Sequence, residues 1–219
     1  MQKNVFVFVV NFYSTNSYIY KDPKSNSAII IDPGGEIAEI VDTIKKNSLK
    51  IENIVVTHSH FDHIASLEKI YELYPVPIIV HEIEFDYVVD NDKNLSNLFG
   101  VEGIKDKGKN LQWKKVKDNE TFFCGQQQIK IFHTPGHTPG GICLFIDEGK
   151  EKYLFTGDTL FCGSVGRTDF YGGDYDVLMN SLKKLVKLPK ETIIFPGHEQ
   201  ASRLEVELEQ NEYLKNIKE

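Results

Sequence analysis

One segment constrains this chain more than any other: Ile54-Val55-Val56-Thr57-His58-Ser59-His60-Phe61-Asp62-His63. An apolar run of strand type ends there, and three histidines and an aspartate follow at once, in a chain with only seven histidines. Side chains alternate between the faces of a strand, so His58 and His60 point the same way while the path stays extended. Asp62 and His63 come after the chain has begun to turn into the next helix. One short loop thereby presents two pairs of donor side chains to one cavity. The pattern recurs. HTPGHTPG carries His137, LFTGDTLF carries Asp158 and IIFPGHE carries His198, each just past an apolar strand on a Gly- or Pro-containing turn. If those strands share one sheet edge, the side chains converge.

Runs rich in Val, Ile, Phe and Tyr, bounded by Gly, Pro, Asn or Asp, predict strands over Val5–Val10, Ser17–Tyr20, Ala28–Ile31, Ile54–Thr57, Ile78–Val80, Ile129–His133, Ile142–Ile146, Tyr153–Phe155 and Thr192–Phe195. Apolar residues at i, i+3, i+4 and i+7 predict helices over Glu36–Asn47, over the segment after His63 (Ile64, Leu67, Ile70, Tyr71, Tyr74) and over Asp174–Leu188, where Pro189 enforces a stop. The acidic tail after His198 also reads as helix. Early strands, interspersed helices and late strands predict an α/β sandwich, two mixed sheets face to face with helices outside, as a single domain over residues 1–219. The least regular stretch is Asn91–Trp113, and loops of that length are often functional.

Charge and composition exclude several classes. The formal net charge is −7 and no dense basic run occurs, which argues against a nucleic-acid partner. Lys105–Lys109 and Lys114-Lys115 read as solvated loop. The first eleven residues carry one Lys and six consecutive apolar residues, too few for a signal-peptide core or a membrane span. Three widely spaced cysteines, Cys124, Cys143 and Cys162, do not make a disulfide framework, and they point to a reducing, cytoplasmic setting. No membrane partner is expected, and the oligomeric state is left open.

The donor inventory matches two Zn²⁺-like ions, each held by about three to four His and carboxylate ligands. His58, His60 and His137 serve one ion, Asp62, His63 and His198 the other, and Asp158, with two carboxylate oxygens, bridges them. The remaining histidines test this reading. His133 and His137 are four apart, but Pro135 and Gly136 between them oppose a helical zinc pair. His133 is expected to end its strand and bond locally, and His81 to be a partly exposed loop residue. Cys162 is read as a small buried residue.

THSHFDH, HTPGHTPG, FTGDTLF and FPGHE, in this order, resemble the metallo-β-lactamase fold superfamily. The likeness spans nearly the whole chain, from IIIDPGG (Ile29–Gly35) to His198. Within it, DTLFCGSVGRTDFYGGD (Asp158–Asp174) and NLSNLFG (Asn94–Gly100) are most similar to the hydroxyacylglutathione hydrolase (glyoxalase II) type of small bacterial hydrolase. The resemblance implies an αββα sandwich, two divalent metal ions in the ligand assignment above, and Asp32 supporting the site from behind the ligands. An all-His/Asp set suits zinc first, with iron and manganese as alternatives.

The implied chemistry is hydrolysis. Hydroxide shared by two metals attacks a carbonyl carbon, one metal stabilises the oxyanion, and a thiol of pKa about 8.5 departs as thiolate with little help. No dedicated general acid stands out beyond the metal ligands, although Asp62 is placed to shuttle a proton, so a small thioester fits better than an amide. Zinc β-lactamases with this ligand pattern usually carry Cys where Asp158 stands. Two other readings remain. One is a persulfide dioxygenase with a single iron on His58, His137 and Asp158, resembled through GRTDF (Gly166–Phe170). The other is a non-enzymatic metal-binding scaffold, which the intact ligand set disfavours. Arg167 is a candidate for a substrate carboxylate or for an ion pair with Asp169 or Asp174, and Tyr171 for the mouth of the site or for packing. The resemblance implies basic and tyrosine contacts to glutathione from a C-terminal extension, whereas the 21 residues after His198 carry one Arg and two Lys against several Glu, and the loop after Asp158 offers Arg167 but not the lysine-plus-tyrosine pair.

Overall fold

The computed structural model describes residues 4–10, 13–215 and 217, with backbone alone at 106–107. Part of the N-terminal segment (residues 1–3, 11 and 12), the side chains of Asp106 and Lys107, and residues 216, 218 and 219 of the tail lie outside the described residues. The chain divides into two compact units, Met1–Val116 with Phe123–Gln127, and Lys117–Phe122 with Gln128–Glu219.

The first unit holds a six-stranded mixed sheet in the order β1 (Val5–Val10), β2 (Thr15–Lys21), β3 (Ser27–Ile31), β4 (Lys50–Val55), β5 (Ile78–His81) and β6 (Trp113–Val116). The first three strands form an antiparallel meander, and β3 to β6 run parallel. Parallel neighbours need crossovers. These are helix α1 (Ala38–Lys46), the pair α2 (Phe61–Ile64) and α3 (Leu67–Leu73), and the pair α4 (Glu82–Val88) and α5 (Ser96–Phe99). The strand β3 is buried along its whole length and apolar from Ala28 onward, as interior parallel strands are. Ile40 and Ile44 of α1 and Leu67 and Ile70 of α3 pack with Ile30, Ile54, Ile78 and Val80 in one core.

The second sheet runs β12 (Ser202–Arg203), β11 (Ile193–Pro196), β10 (Lys152–Gly157), β9 (Ile142–Asp147), β8 (Gln127–His133) and β7 (Thr121–Cys124). Only β10 and β11 pair in parallel; the other described pairings are antiparallel. The crossover is α6 (Tyr175–Leu185), whose Leu178, Leu182 and Leu185 pack on Leu154 and Ile194. Asp174 caps it, accepting the Val177 N–H at 3.0 Å. The tail helix α7 (Leu204–Gln210) joins the same core through Leu204, with Leu214 beyond its end.

Most expected elements are present with shifted ends. Lys50–Val55 replaces Ile54–Thr57, because parallel pairing starts at Ser27 opposite Lys50. The helix expected to reach Leu188 ends at Leu185. The strands β6, β7 and β12 and the helices α4 and α5 were not legible. β6 is a polar edge run (WKKV), β12 has two residues, and α4 places Glu84 where an apolar residue would mark its buried face. The stretch Asn91–Trp113, expected to be the least regular, holds α5 and a 3-10 turn at Lys105–Gly108.

Candidate metal centre

The first group of donors is built on the ends of β3 and β4. After β3 the chain enters the left-handed region at Asp32 (φ 50°), a conformation that Asp tolerates better than most residues. The turn aims the Asp32 carboxylate at the chain leaving β4. Its Oδ1 accepts the Thr57 N–H at 2.7 Å, and its Oδ2 accepts the Thr57 hydroxyl at 2.6 Å. Oδ2 also lies 3.0 Å from His63 Nδ1. The Thr57 hydroxyl proton is thus committed to Asp32, so Thr57 Oγ1 faces His58 Nδ1, 3.1 Å away, as an acceptor. One carboxylate thereby places the proton of both His58 and His63 on Nδ1, directly in one case and through a hydroxyl in the other. With that tautomer, Nε2 is the nitrogen of each neutral ring that can ligate a metal.

The rest of the loop is held as firmly. Ser59, between His58 and His60, donates its N–H at 2.8 Å to Glu84 Oε1, a fully buried carboxylate on α4. Asp62 Oδ2 accepts the Thr15 hydroxyl at 2.7 Å and lies 3.6 Å from His63 Nε2. The His58 ring is 4.9 Å from that of His60 and 4.1 Å from that of His63, centroid to centroid. All four residues are buried. Gly34 permits the approach, because a Cβ there would collide with the Asp62 carbonyl. Three imidazoles and two carboxylates buried together need hydrogen bonds or a cation to compensate them, and a divalent ion would satisfy the nitrogens that the Asp32 network leaves over. The donor set fits divalent metal on that ground and on its tautomers.

The second group sits on the ends of β8, β10 and β11. Because β10 and β11 are parallel neighbours, Asp158 and His198 leave the sheet side by side, and the Gly197 N–H bonds the Gly157 carbonyl at 2.8 Å. Asp158 Oδ2 lies 3.4 Å from Nε2 of both His137 and His198. One carboxylate oxygen between two imidazole Nε2 atoms suits a bridging ligand. His137 Nδ1 lies 2.7 Å from the Arg167 carbonyl, which can only accept, so this ring too carries its proton on Nδ1 and offers Nε2.

Arg167 contributes through its backbone, a role that sequence reasoning missed. Its side chain makes the bidentate ion pair with Asp169 at 2.6 Å, lies 3.9 Å over the Phe170 ring, and leaves Asp174 to cap α6. Hydrogen bonding to that guanidinium holds the Asp169 carboxyl at about 2. Tyr171 is 57% exposed, so it is not a core residue. His133 ends β8, with Nε2 2.9 Å from the Pro139 carbonyl, across the loop that carries His137. His81 is not an exposed loop residue: it is buried, and its Nδ1 caps α4 by accepting the Ile83 N–H at 3.3 Å. Cys162 is half-buried rather than buried, with the Gln200 amide 3.4 Å from its sulfur, and all three cysteines are free thiols.

The family model described as metallo-beta-lactamase superfamily matches residues 10–198. The chain is 31% identical to the hydroxyacylglutathione hydrolase GloC of Haemophilus influenzae, over 96% of this chain and 98% of that protein. It is 29% identical to two solved structures, each with a TM-score of 0.83. One is the B3 metallo-beta-lactamase BLEG-1, covering 97% of this chain and all of that one. The other is TTHA1623 in a di-iron-bound form, covering 95% and 100%. The expected fold class, an α/β fold of two mixed sheets with helices, is the one these structures share. On the extent of these matches and the order of its His and Asp motifs, the chain belongs to the metallo-beta-lactamase superfamily.

Proposed function

We propose that the protein is a dinuclear metal-dependent thioesterase of the hydroxyacylglutathione hydrolase type. Membership of a superfamily of metal-dependent hydrolases supports hydrolysis. The observation that carries the metal reading is the shared state of His58, His63 and His137, each with Nδ1 facing an oxygen acceptor and Nε2 left as a donor. We assign His58, His60 and His137 to one ion and Asp62, His63 and His198 to the other, with Asp158 serving both. Two divalent ions, zinc in the first instance and iron or manganese as alternatives, would supply an activated water and a Lewis acid. The residues of the chain do the rest. Asp32 and the Arg167 carbonyl orient the imidazoles and favour the Nδ1–H tautomer, and Asp62, held by Thr15, moves a proton. A thiol leaving group of pKa about 8.5 needs no dedicated acid, which favours a thioester over an amide. The likeness to GloC supports a glutathione thioester as the first substrate to try.

Incubation with S-D-lactoylglutathione should release D-lactate and free thiol without O₂ uptake. Oxygen consumption with glutathione persulfide, one tightly bound iron and no thioesterase activity would overturn the assignment in favour of a dioxygenase. Efficient β-lactam hydrolysis without thioester turnover would move the protein toward BLEG-1. The tail offers little positive charge to glutathione carboxylates, so KM should differ little among thioesters that vary only in the thiol.

A further inference from the structure

The helix α7 has an apolar side at Leu204 and Leu208, with Leu214 beyond its end, yet Glu207 on that helix is 1% exposed. A buried carboxylate is costly, and an apolar residue there would pack without it. Its partners indicate its use. Oε2 accepts the Gly163 N–H at 2.7 Å and the Asn211 amide at 2.9 Å, and Oε1 accepts the Ser202 hydroxyl. Asn211, also fully buried, donates from the same amide nitrogen to the Ser164 carbonyl at 3.1 Å. Gly163 and Ser164 are the tip of a small hairpin. Leu160 bridges Val165, and the Phe161 N–H bonds the Ser164 carbonyl at 3.0 Å.

The base of that hairpin is the donor group. Asp158 lies two residues before Leu160, and Arg167, whose carbonyl holds His137 Nδ1, lies two residues after Val165. The Gly166 N–H returns to the Thr159 carbonyl, and a Cβ at Gly166 would collide with the Asp158 carbonyl, so the two ends of the hairpin press together. The two strands of the hairpin thus run from the tip directly to Asp158 on one side and to the Arg167 carbonyl on the other.

We propose that Glu207 is a positioning residue for the metal centre: by fastening the Gly163–Ser164 tip to α7, it holds Asp158 and the Arg167 carbonyl in ligand geometry. This rests on His137 and Asp158 being metal donors, not on the thioesterase reading. The tail is then a strut for the site.

The test uses the full chain and its Glu207→Ala, Glu207→Gln and Ser202→Ala variants, with Zn²⁺ as probe. In zinc-free protein at pH 8, nitrogen NMR of His137 should show a single Nδ1–H tautomer in the wild type and a mixture in Glu207→Ala. Chelator competition should show Zn²⁺ bound about tenfold or more weakly by Glu207→Ala, the scale of loss for residues that orient ligands. Glu207→Gln, which keeps an acceptor for Gly163, and Ser202→Ala, which leaves the tip bond intact, should stay near wild type in both readouts. If Glu207→Ala lowers Tm but leaves the His137 tautomer and Zn²⁺ affinity unchanged, Glu207 is merely structural and the proposal fails. If Glu207→Ala does not fold, Glu207→Leu, which fills the space but offers Gly163 no acceptor, takes its place: a tautomer mixture with weaker Zn²⁺ binding would support the proposal, and wild-type behaviour in both readouts would overturn it. Wild-type protein that takes up no Zn²⁺ would sink the donor assignment and, with it, this proposal, whatever the thioester assay shows.

Discussion

At the scale of single residues, the donors are governed by what stands behind them. Asp32 accepts three hydrogen bonds and through them sets two tautomers. Asp32→Ala should lower Zn²⁺ affinity by about 10- to 100-fold, read by chelator competition. Thr57→Val removes the hydroxyl that bonds Asp32 and faces His58, and should cost less, leaving the Asp32 bond to His63 in place. Equal losses in the two variants would show that Asp32 does not act through two separate rings. The cysteines give a second residue-scale prediction. Burial pushes the Cys124 thiol up to about 12 and the Cys143 thiol to about 11, so both stay protonated and inert near neutral pH. Iodoacetamide should therefore modify the half-buried Cys162 first, and mass spectrometry of peptides should find Cys143 unmodified until the chain unfolds.

At the scale of elements, strand order and helix caps bring distant donors into reach. The parallel pairing of β10 with β11 puts Asp158 beside His198, and the cap of α6 is tied to the His137 loop, since the Asp174 N–H bonds the Gly136 carbonyl at 2.8 Å. Asp174→Ala should lower stability by about 1 kcal/mol in urea unfolding, the usual value of an N-cap side chain. It should leave metal stoichiometry unchanged, because that backbone bond survives. The clasp between α6 and the end of β8 responds to pH. Burial alone would raise the Asp118 carboxyl, but the His133 N–H and Lys184 outweigh it and hold it below its ordinary value. A carboxyl depressed in the folded state adds stability that is complete above its unfolded pKa of about 4 and is lost as pH falls through the folded value. Asp118→Asn should flatten the stability profile on that acid limb and change nothing in its slope near pH 7. An unchanged acid limb would contradict the clasp.

At the scale of the whole molecule, the seven assigned ligands predict two metal equivalents per chain when metal is supplied during purification. Asp158→Ala removes the residue assigned to both ions, so occupancy at both should fall and turnover should be lost. A one-metal protein with full activity would contradict the dinuclear assignment. No helix of the described residues is long and apolar enough to cross a membrane.

The sequence by itself determined where most of the strands lie and which side chains are the candidate donors. Apolar runs of period two, ended by Gly, Pro, His and Asp, are local signals, and THSHFDH, His137, Asp158 and His198 stand out because imidazole and carboxylate are scarce at strand ends. Asp32 was legible only through its family resemblance. What holds the donors was decided by the tertiary structure alone. Ser59 meets Glu84 across 25 residues, His137 meets the Arg167 carbonyl across 30, and Gly163 meets Glu207 across 44. In each pair one partner is a backbone N–H or C=O, which every residue but proline carries in full, so composition and spacing cannot mark it. The other partners in the first and last pairs are glutamates on short helices, which in sequence look like ordinary solvent-facing carboxylates. Only burial, which the chain acquires by folding, separates Glu84 and Glu207 from the exposed Glu82 and Glu205 beside them.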